Sequence, residues 1–131
     1  MPLSHVGIPV SDIVKSRAFY VAALAPLGMG VTMEVGGDKT ESGGSAIGFG
    51  GAGDTGLFWI GDNERVGEGV HIAFEAGSRR EVDAFHAAAL AAGGRDNGAP
   101  GPRPHYGPDY YAAFVLDPDG ANIEAVFDKP E

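Results

Sequence analysis

The chain has 131 residues, 44% of them hydrophobic, which fits one globular domain and excludes a disordered polymer. Nine basic residues against 18 acidic ones leave a net charge of −9, so nucleic acid is excluded as a partner by simple repulsion. The absence of cysteine excludes disulfides, thiolate metal sites and cysteine nucleophiles together. No run approaches the ~20 apolar residues of a membrane span, so no membrane partner is expected. The opening Met1-Pro2-Leu3-Ser4-His5 lacks a basic segment followed by an apolar one. The expected location is cytoplasmic.

Taken in chain order, Val6 to Val10 reads as a strand, and Ser11-Asp12 can cap a helix. From Ile13 the apolar positions recur at three- and four-residue steps (Ser16, Phe19, Tyr20, Ala23, Leu24, Leu27), a helix that Pro26 and Gly28 end. Gly30 to Val35 is an expected strand, and the polar, glycine-rich run Gly36 to Ser45 a mobile loop. Ala46 to Phe49 and Leu57 to Ile60 are two further strands, and Asp62 to Glu68 is a joint. A strand carrying His71 follows, then a helix over roughly Arg79 to Ala92 with Val82, Phe85, Ala89 and Leu90 along one side. Asp96 to Asp109, with Pro100, Pro102, Pro104 and Pro108, reads as a long irregular segment of functional character. Tyr110 to Leu116 is a strand, Asp117-Pro118-Asp119-Gly120 a turn, and Ala121 to Phe127 the last strand.

The chain repeats itself at an offset of 66 (71 less 5). His5 maps to His71, Phe19 to Phe85, Ala22-Ala23-Leu24 to Ala88-Ala89-Leu90, and Gly28 to Gly94. Each copy is one supersecondary unit of strand, helix and three strands, over about 1–62 and 69–131. The expected fold class is therefore α+β, built from two βαβββ modules in one domain. The same offset sets Phe58 against Glu124. Glu124 lies in the apolar run Asn122-Ile123-Glu124-Ala125-Val126-Phe127, where a carboxylate must be paired, protonated or metal-bound. A two-fold relation between the copies would bring His5 and His71 together with Glu124 beside them. Two imidazoles and one carboxylate, with positions left open, suit a catalytic divalent metal. The plainer reading is that each histidine makes an ordinary hydrogen bond and Glu124 an ion pair.

The segments His5-Val6-Gly7-Ile8-Pro9-Val10-Ser11-Asp12, Phe19-Tyr20 with Leu24 and Leu27-Gly28, Val70-His71-Ile72-Ala73-Phe74, and Asp117-Pro118-Asp119-Gly120-Ala121-Asn122-Ile123-Glu124 carry a resemblance over nearly the whole chain. The chain resembles the vicinal-oxygen-chelate superfamily: glyoxalase I, bleomycin-resistance proteins, fosfomycin-resistance enzymes and extradiol dioxygenases. The resemblance implies paired βαβββ modules curled into a cup-shaped mixed sheet, with metal ligands at His5, His71 and Glu124. It leaves the metal open among Fe, Mn, Zn and Ni. Glyoxalase I-like members carry a fourth side-chain ligand where this chain has Phe58, and a phenyl ring neither coordinates a metal nor takes a proton. That departure argues against glyoxalase I activity.

Acid–base partners come from elsewhere: His105 and Tyr111 are the candidates; alternation lets at most one of Tyr110 and Tyr111 face the cup, and Tyr111 is the expected one. Phe58, Arg103 and Tyr106 are the expected substrate contacts. The functional expectation is a homodimeric divalent-metal enzyme acting on a small molecule with neighbouring oxygens, by lyase, dioxygenase or thiol-transfer chemistry. The alternative is a metal-independent protein that binds and sequesters a drug, similar to bleomycin-resistance proteins.

Overall fold

Strand β1 (Val6–Pro9) leads through Ser11 into helix α1 (Ile13–Leu24), whose N-cap Asp12 accepts a hydrogen bond from the Lys15 amide at 3.1 Å. A short 3-10 turn over Ala25–Leu27 ends at Gly28, which adopts the left-handed conformation with φ 78°. Strands β2 (Gly30–Val35), β3 (Ala46–Gly50) and β4 (Phe58–Gly61) complete the first module. The second repeats the order: β5 (His71–Glu75), α2 (Arg79–Ala91), β6 (Arg95–Pro102), β7 (Tyr110–Leu116) and β8 (Asn122–Asp128). The structure, a computed structural model, describes residues 3–36, 44–53, 56–62 and 64–131; most of the expected loop from Gly36 to Ser45 lies outside them.

Each module forms a four-stranded mixed sheet, ordered β1-β4-β3-β2 in the first and β5-β8-β7-β6 in the second. The first strand of each pairs in parallel with the last, and the remaining pairs are antiparallel. Alternation gives each sheet one core face and one open face. On the core faces Ile8, Ile47, Phe49, Phe58 and Ile60 meet Phe74, Ala113, Val115, Ile123 and Ala125 through the two helices in one apolar cluster. Phe58 packs against Phe74 of the other module with ring centroids 5.2 Å apart. Polar groups join the modules as well: the buried Tyr20 hydroxyl donates to Asp117 Oδ2 at 2.6 Å, and at the surface Ser11 donates its amide to Asp119 Oδ2 at 3.0 Å. Burial, and then the charge of Asp117, pushes the Tyr20 phenol well above the usual tyrosine range.

Two sequence expectations change here. The proline-rich stretch from Asp96 is not irregular throughout: its first part, through Pro102, belongs to β6, paired with β7. Proline is tolerated because β6 is an edge strand, and the register shifts between Asp96 and Gly98 and between Gly98 and Gly101 absorb the misfit. On α2, Val82, Phe85 and Ala89 are buried as expected, whereas Leu90 lies at the rim, 37% exposed.

Candidate metal centre

The open face of the second sheet is where chemistry gathers. His71 pairs with Asn122 across the β5–β8 ladder, and Phe114 on β7 pairs with Glu124 on β8, so these four side chains share one face. Tyr110, four residues before Phe114, shares it too. With Tyr106 they enclose a cavity of about 460 Å³.

The Asn122 carbonyl lies 3.0 Å from His71 Nδ1. A carbonyl can only accept, so Nδ1 carries the hydrogen and the ring orientation is set by the neighbouring strand's backbone. Phe114 stacks alongside at 6.2 Å between centroids, with an interplanar angle of 22°. His71 Nε2 then faces Glu124 Oε1 at 3.0 Å. The Glu124 side chain is 4% exposed, and its other oxygen, Oε2, accepts a hydrogen bond from the Tyr110 hydroxyl. Burial, and next that bond to a carboxylate, pushes the Tyr110 phenol above the ordinary range, so it stays a donor at neutral pH.

This donor set fits a divalent cation. In the neutral ring Nε2 presents a lone pair to an oxygen that also presents lone pairs, an arrangement that a proton or a cation between them must resolve. Imidazole nitrogen and carboxylate oxygen are ligands for Zn, Fe, Mn and Ni alike.

The expected site residues are distributed as follows. His71 and Glu124 come together. His5 does not join them within one chain; it is exposed just before β1, its Nδ1 3.0 Å from Ser4 Oγ. Among the described residues no cluster of three or more His, Cys, Asp or Glu side chains could hold a metal. Tyr106 reaches the cavity mouth, 60% exposed, with its ring against His105 on one side and Tyr110 on the other. His105 is exposed beyond it and does not line the cavity. Arg103 stands behind Phe114, its guanidinium 5.4 Å from that ring and donating to the Gly101 and Ala99 carbonyls at 2.8 Å each. Its charge therefore braces β6 rather than entering the cavity.

Two assignments are corrected. Tyr111 faces the core side of the sheet: its hydroxyl donates to Asp83 on α2 at 2.6 Å, and Arg79 lies over its ring at 4.8 Å. That hydrogen bond, with burial second, pushes its phenol upward. Of the two adjacent tyrosines, the one that lines the cavity is Tyr110. A parity argument finds it, because Ala113 and Val115 carry the core parity and Tyr111 shares it.

Phe58 likewise faces the core, 1% exposed, against Tyr20, Phe49 and Phe74. The reason is a one-residue difference in register. Val6 pairs with Phe58, 52 residues on, whereas Ile72 pairs with Ile123, 51 residues on. The first-module counterpart of Glu124 is therefore Trp59. An indole coordinates no better than a phenyl, so the missing fourth ligand stands with a different residue in its place. Trp59 lies flat over the sheet, where a Cβ on Gly48 or Gly56 would meet its ring at 2.9 Å.

A second hollow, of about 290 Å³, lies between α1 and strands β2 and β3; it includes the Arg17–Glu34 ion pair at 2.9 Å but no histidine.

The chain belongs to the Glyoxalase/Bleomycin resistance protein/Dioxygenase superfamily, whose family model matches residues 3–125. Among solved structures, a glyoxalase/bleomycin resistance protein from Albidiferax ferrireducens T118 is 34% identical, with 97% of this chain and 98% of that one covered and a TM-score of 0.74. A mutant of FosX from Listeria monocytogenes, a fosfomycin resistance protein, is 26% identical, with 94% of this chain and 89% of that one covered and a TM-score of 0.66; its structure holds Mn(II) and 1S,2S-dihydroxypropylphosphonic acid. A glyoxalase I mutant from Zea mays shares the fold at 24% identity and a TM-score of 0.73, with 97% of this chain covered and 46% of the maize chain. No curated protein sequence matches the chain. Among the described residues no helix is long and apolar enough to cross a membrane.

Proposed function

We propose that this protein is a divalent-metal enzyme acting on a small molecule with two neighbouring oxygens, with each metal held by His71 and Glu124 of one chain and His5 of a second copy. The observation that carries the reading is the facing of His71 Nε2 and Glu124 Oε1 at 3.0 Å while Nδ1 is committed to the Asn122 carbonyl. Two ligands on one sheet face are too few for a tightly held catalytic ion, and the other imidazole of the repeat, His5, stands exposed in each chain. A homodimer that sets β1 of one copy beside β5 of the other supplies it. Both are edge strands, open to a partner.

When bound, the metal supplies Lewis-acid stabilisation of negative charge developing on a substrate oxygen. The chain's own residues do the rest. His71 and Glu124 fix the ion at the floor of the cavity, Tyr110 holds the carboxylate, and Phe114 and Tyr106 form an aromatic wall and mouth. Lyase, dioxygenase and thiol-transfer chemistry all fit this arrangement. Glyoxalase I chemistry does not, because Trp59 stands where its fourth ligand would be. The proposed setting is the cytoplasm, where a chain without cysteine needs no disulfide.

Elemental analysis of protein purified without added metal is expected to show bound metal. His71→Ala should weaken metal binding beyond the roughly 10–100-fold that loss of an outer-shell partner costs. Full occupancy in that variant would overturn the ligand set. Tight drug binding that a chelator leaves untouched would favour a sequestering protein instead.

A further inference from the structure

We infer that Tyr110 is a positioning residue that restricts Glu124 to one free oxygen, and so sets how many positions of a bound divalent cation stay open to substrate. The inference rests on the metal reading above and concerns a residue outside its ligand set.

A carboxylate can bind a cation through one oxygen or both. In this structure the two oxygens have different neighbours: Oε1 faces His71 Nε2, and Oε2 is taken by the Tyr110 hydroxyl. The phenol is held in place from several sides. Its strand is locked by the Tyr110–Asp128 pair at the end of the β7–β8 ladder, and the Tyr106 ring meets its ring edge-on at 5.3 Å between centroids. On the other side of the carboxylate, His71 faces Oε1 at 3.0 Å with its own ring stacked on Phe114.

Burial makes the choice consequential. With 4% of its side chain exposed, Glu124 has little access to water that could replace the phenol. Remove the hydroxyl and Oε2 loses its donor in a buried place, which is costly. Its best remaining partner is the cation itself. Tyr110 thus decides between a one-oxygen and a two-oxygen carboxylate. In a six-coordinate shell with two histidines, that is the difference between three open positions and two. Tyr111 offers a built-in control, since it is adjacent in sequence, is also a tyrosine bonded to a carboxylate, and is directed to Asp83 on the other side of the sheet.

The test uses Mn(II) on the full chain, with water-proton relaxation counting inner-sphere waters. The wild-type complex should show three. Tyr110→Phe should still bind Mn(II), weakened by no more than the roughly 10–100-fold that loss of an outer-shell partner costs, with inner-sphere relaxivity per bound ion lower by about one third as three waters become two. Tyr111→Phe should leave the count unchanged. Two waters in the wild type, an unchanged count in Tyr110→Phe, or an equal drop in Tyr111→Phe would each overturn the inference while leaving the metal site standing. A wild-type chain that takes up no Mn(II) would remove the metal reading and this inference together. Even if Tyr110→Phe fails to fold, a wild-type count of two overturns the inference.

Discussion

On the second module the open sheet face carries His71, Tyr110, Phe114 and Glu124; on the first, the positions matching His71, Phe114 and Glu124 are His5, Gly48 and Trp59. The core faces, in contrast, remain alike, with Phe49, Phe58 and Ile60 in one module answered by Phe74, Ala113, Ile123 and Ala125 in the other. Packing constrains the inward face of both copies, because a volume error there is felt at once. The outward faces are free to part. One has become a polar cavity around a buried carboxylate, and the other a glycine-bared surface beneath a single indole. Neither face alone offers three ligands, which is why the metal reading calls for a second copy.

A carboxylate placed on each side of β4 in turn separates the two faces most strongly. Phe58→Glu buries a charge among Tyr20, Phe49 and Phe74, and should cost at least about 4 kcal/mol, enough to unfold a typical domain in part. Trp59→Glu places the same charge on the open face and should cost less than about 2 kcal/mol. Urea denaturation of the two variants measures both. Equal tolerance would mean that the faces are wrongly assigned.

A smaller effect is expected at the seam between the modules. Tyr20→Phe removes the hydrogen bond to buried Asp117 and should cost about 1.5–3 kcal/mol near neutral pH. The pH dependence has a definite sign. Burial holds the folded Tyr20 phenol well above its ordinary value, so its proton is released at lower pH in the unfolded chain than in the folded one. The stability it contributes is intact below about pH 10 and is lost as pH rises further. Denaturation at about pH 8 and pH 11 should show this alkaline loss in the wild type and a smaller one in Tyr20→Phe. An identical alkaline slope in both would remove Tyr20 from the account.

Much of this was legible in the sequence, and the gaps have physical causes. The duplicated βαβββ pattern shows in landmarks such as Phe19/Phe85, both fully buried because both helices pack by the same face, although the left-handed glycine that follows α2 is Gly93 and not Gly94, the match of Gly28. Glu124 shows because a carboxylate in an apolar run needs a partner. The identity of the residue at the fourth-ligand position was not legible: β4 and β8 differ by one residue in register, and a period of two turns such a slip into a change of face. Tyr110 was obscured by its neighbour Tyr111, although the apolar parity of Ala113 and Val115 already assigns Tyr111 to the core side. Strand β6 was hidden by its prolines, which forbid a central strand and permit an edge one. The separation of His5 from His71 depends on how the modules pack, and no local pattern encodes that.

The central claim is that His5 of one copy completes the site begun by His71 and Glu124 of another. His5→Ala and His71→Ala chains, each purified alone, should bind almost no metal. Unfolded together and refolded as a mixture, they should form mixed dimers in which one site lacks both histidines and the other is intact, so that metal returns at one ion per mixed dimer. No recovery in mixed dimers that demonstrably form would contradict the account.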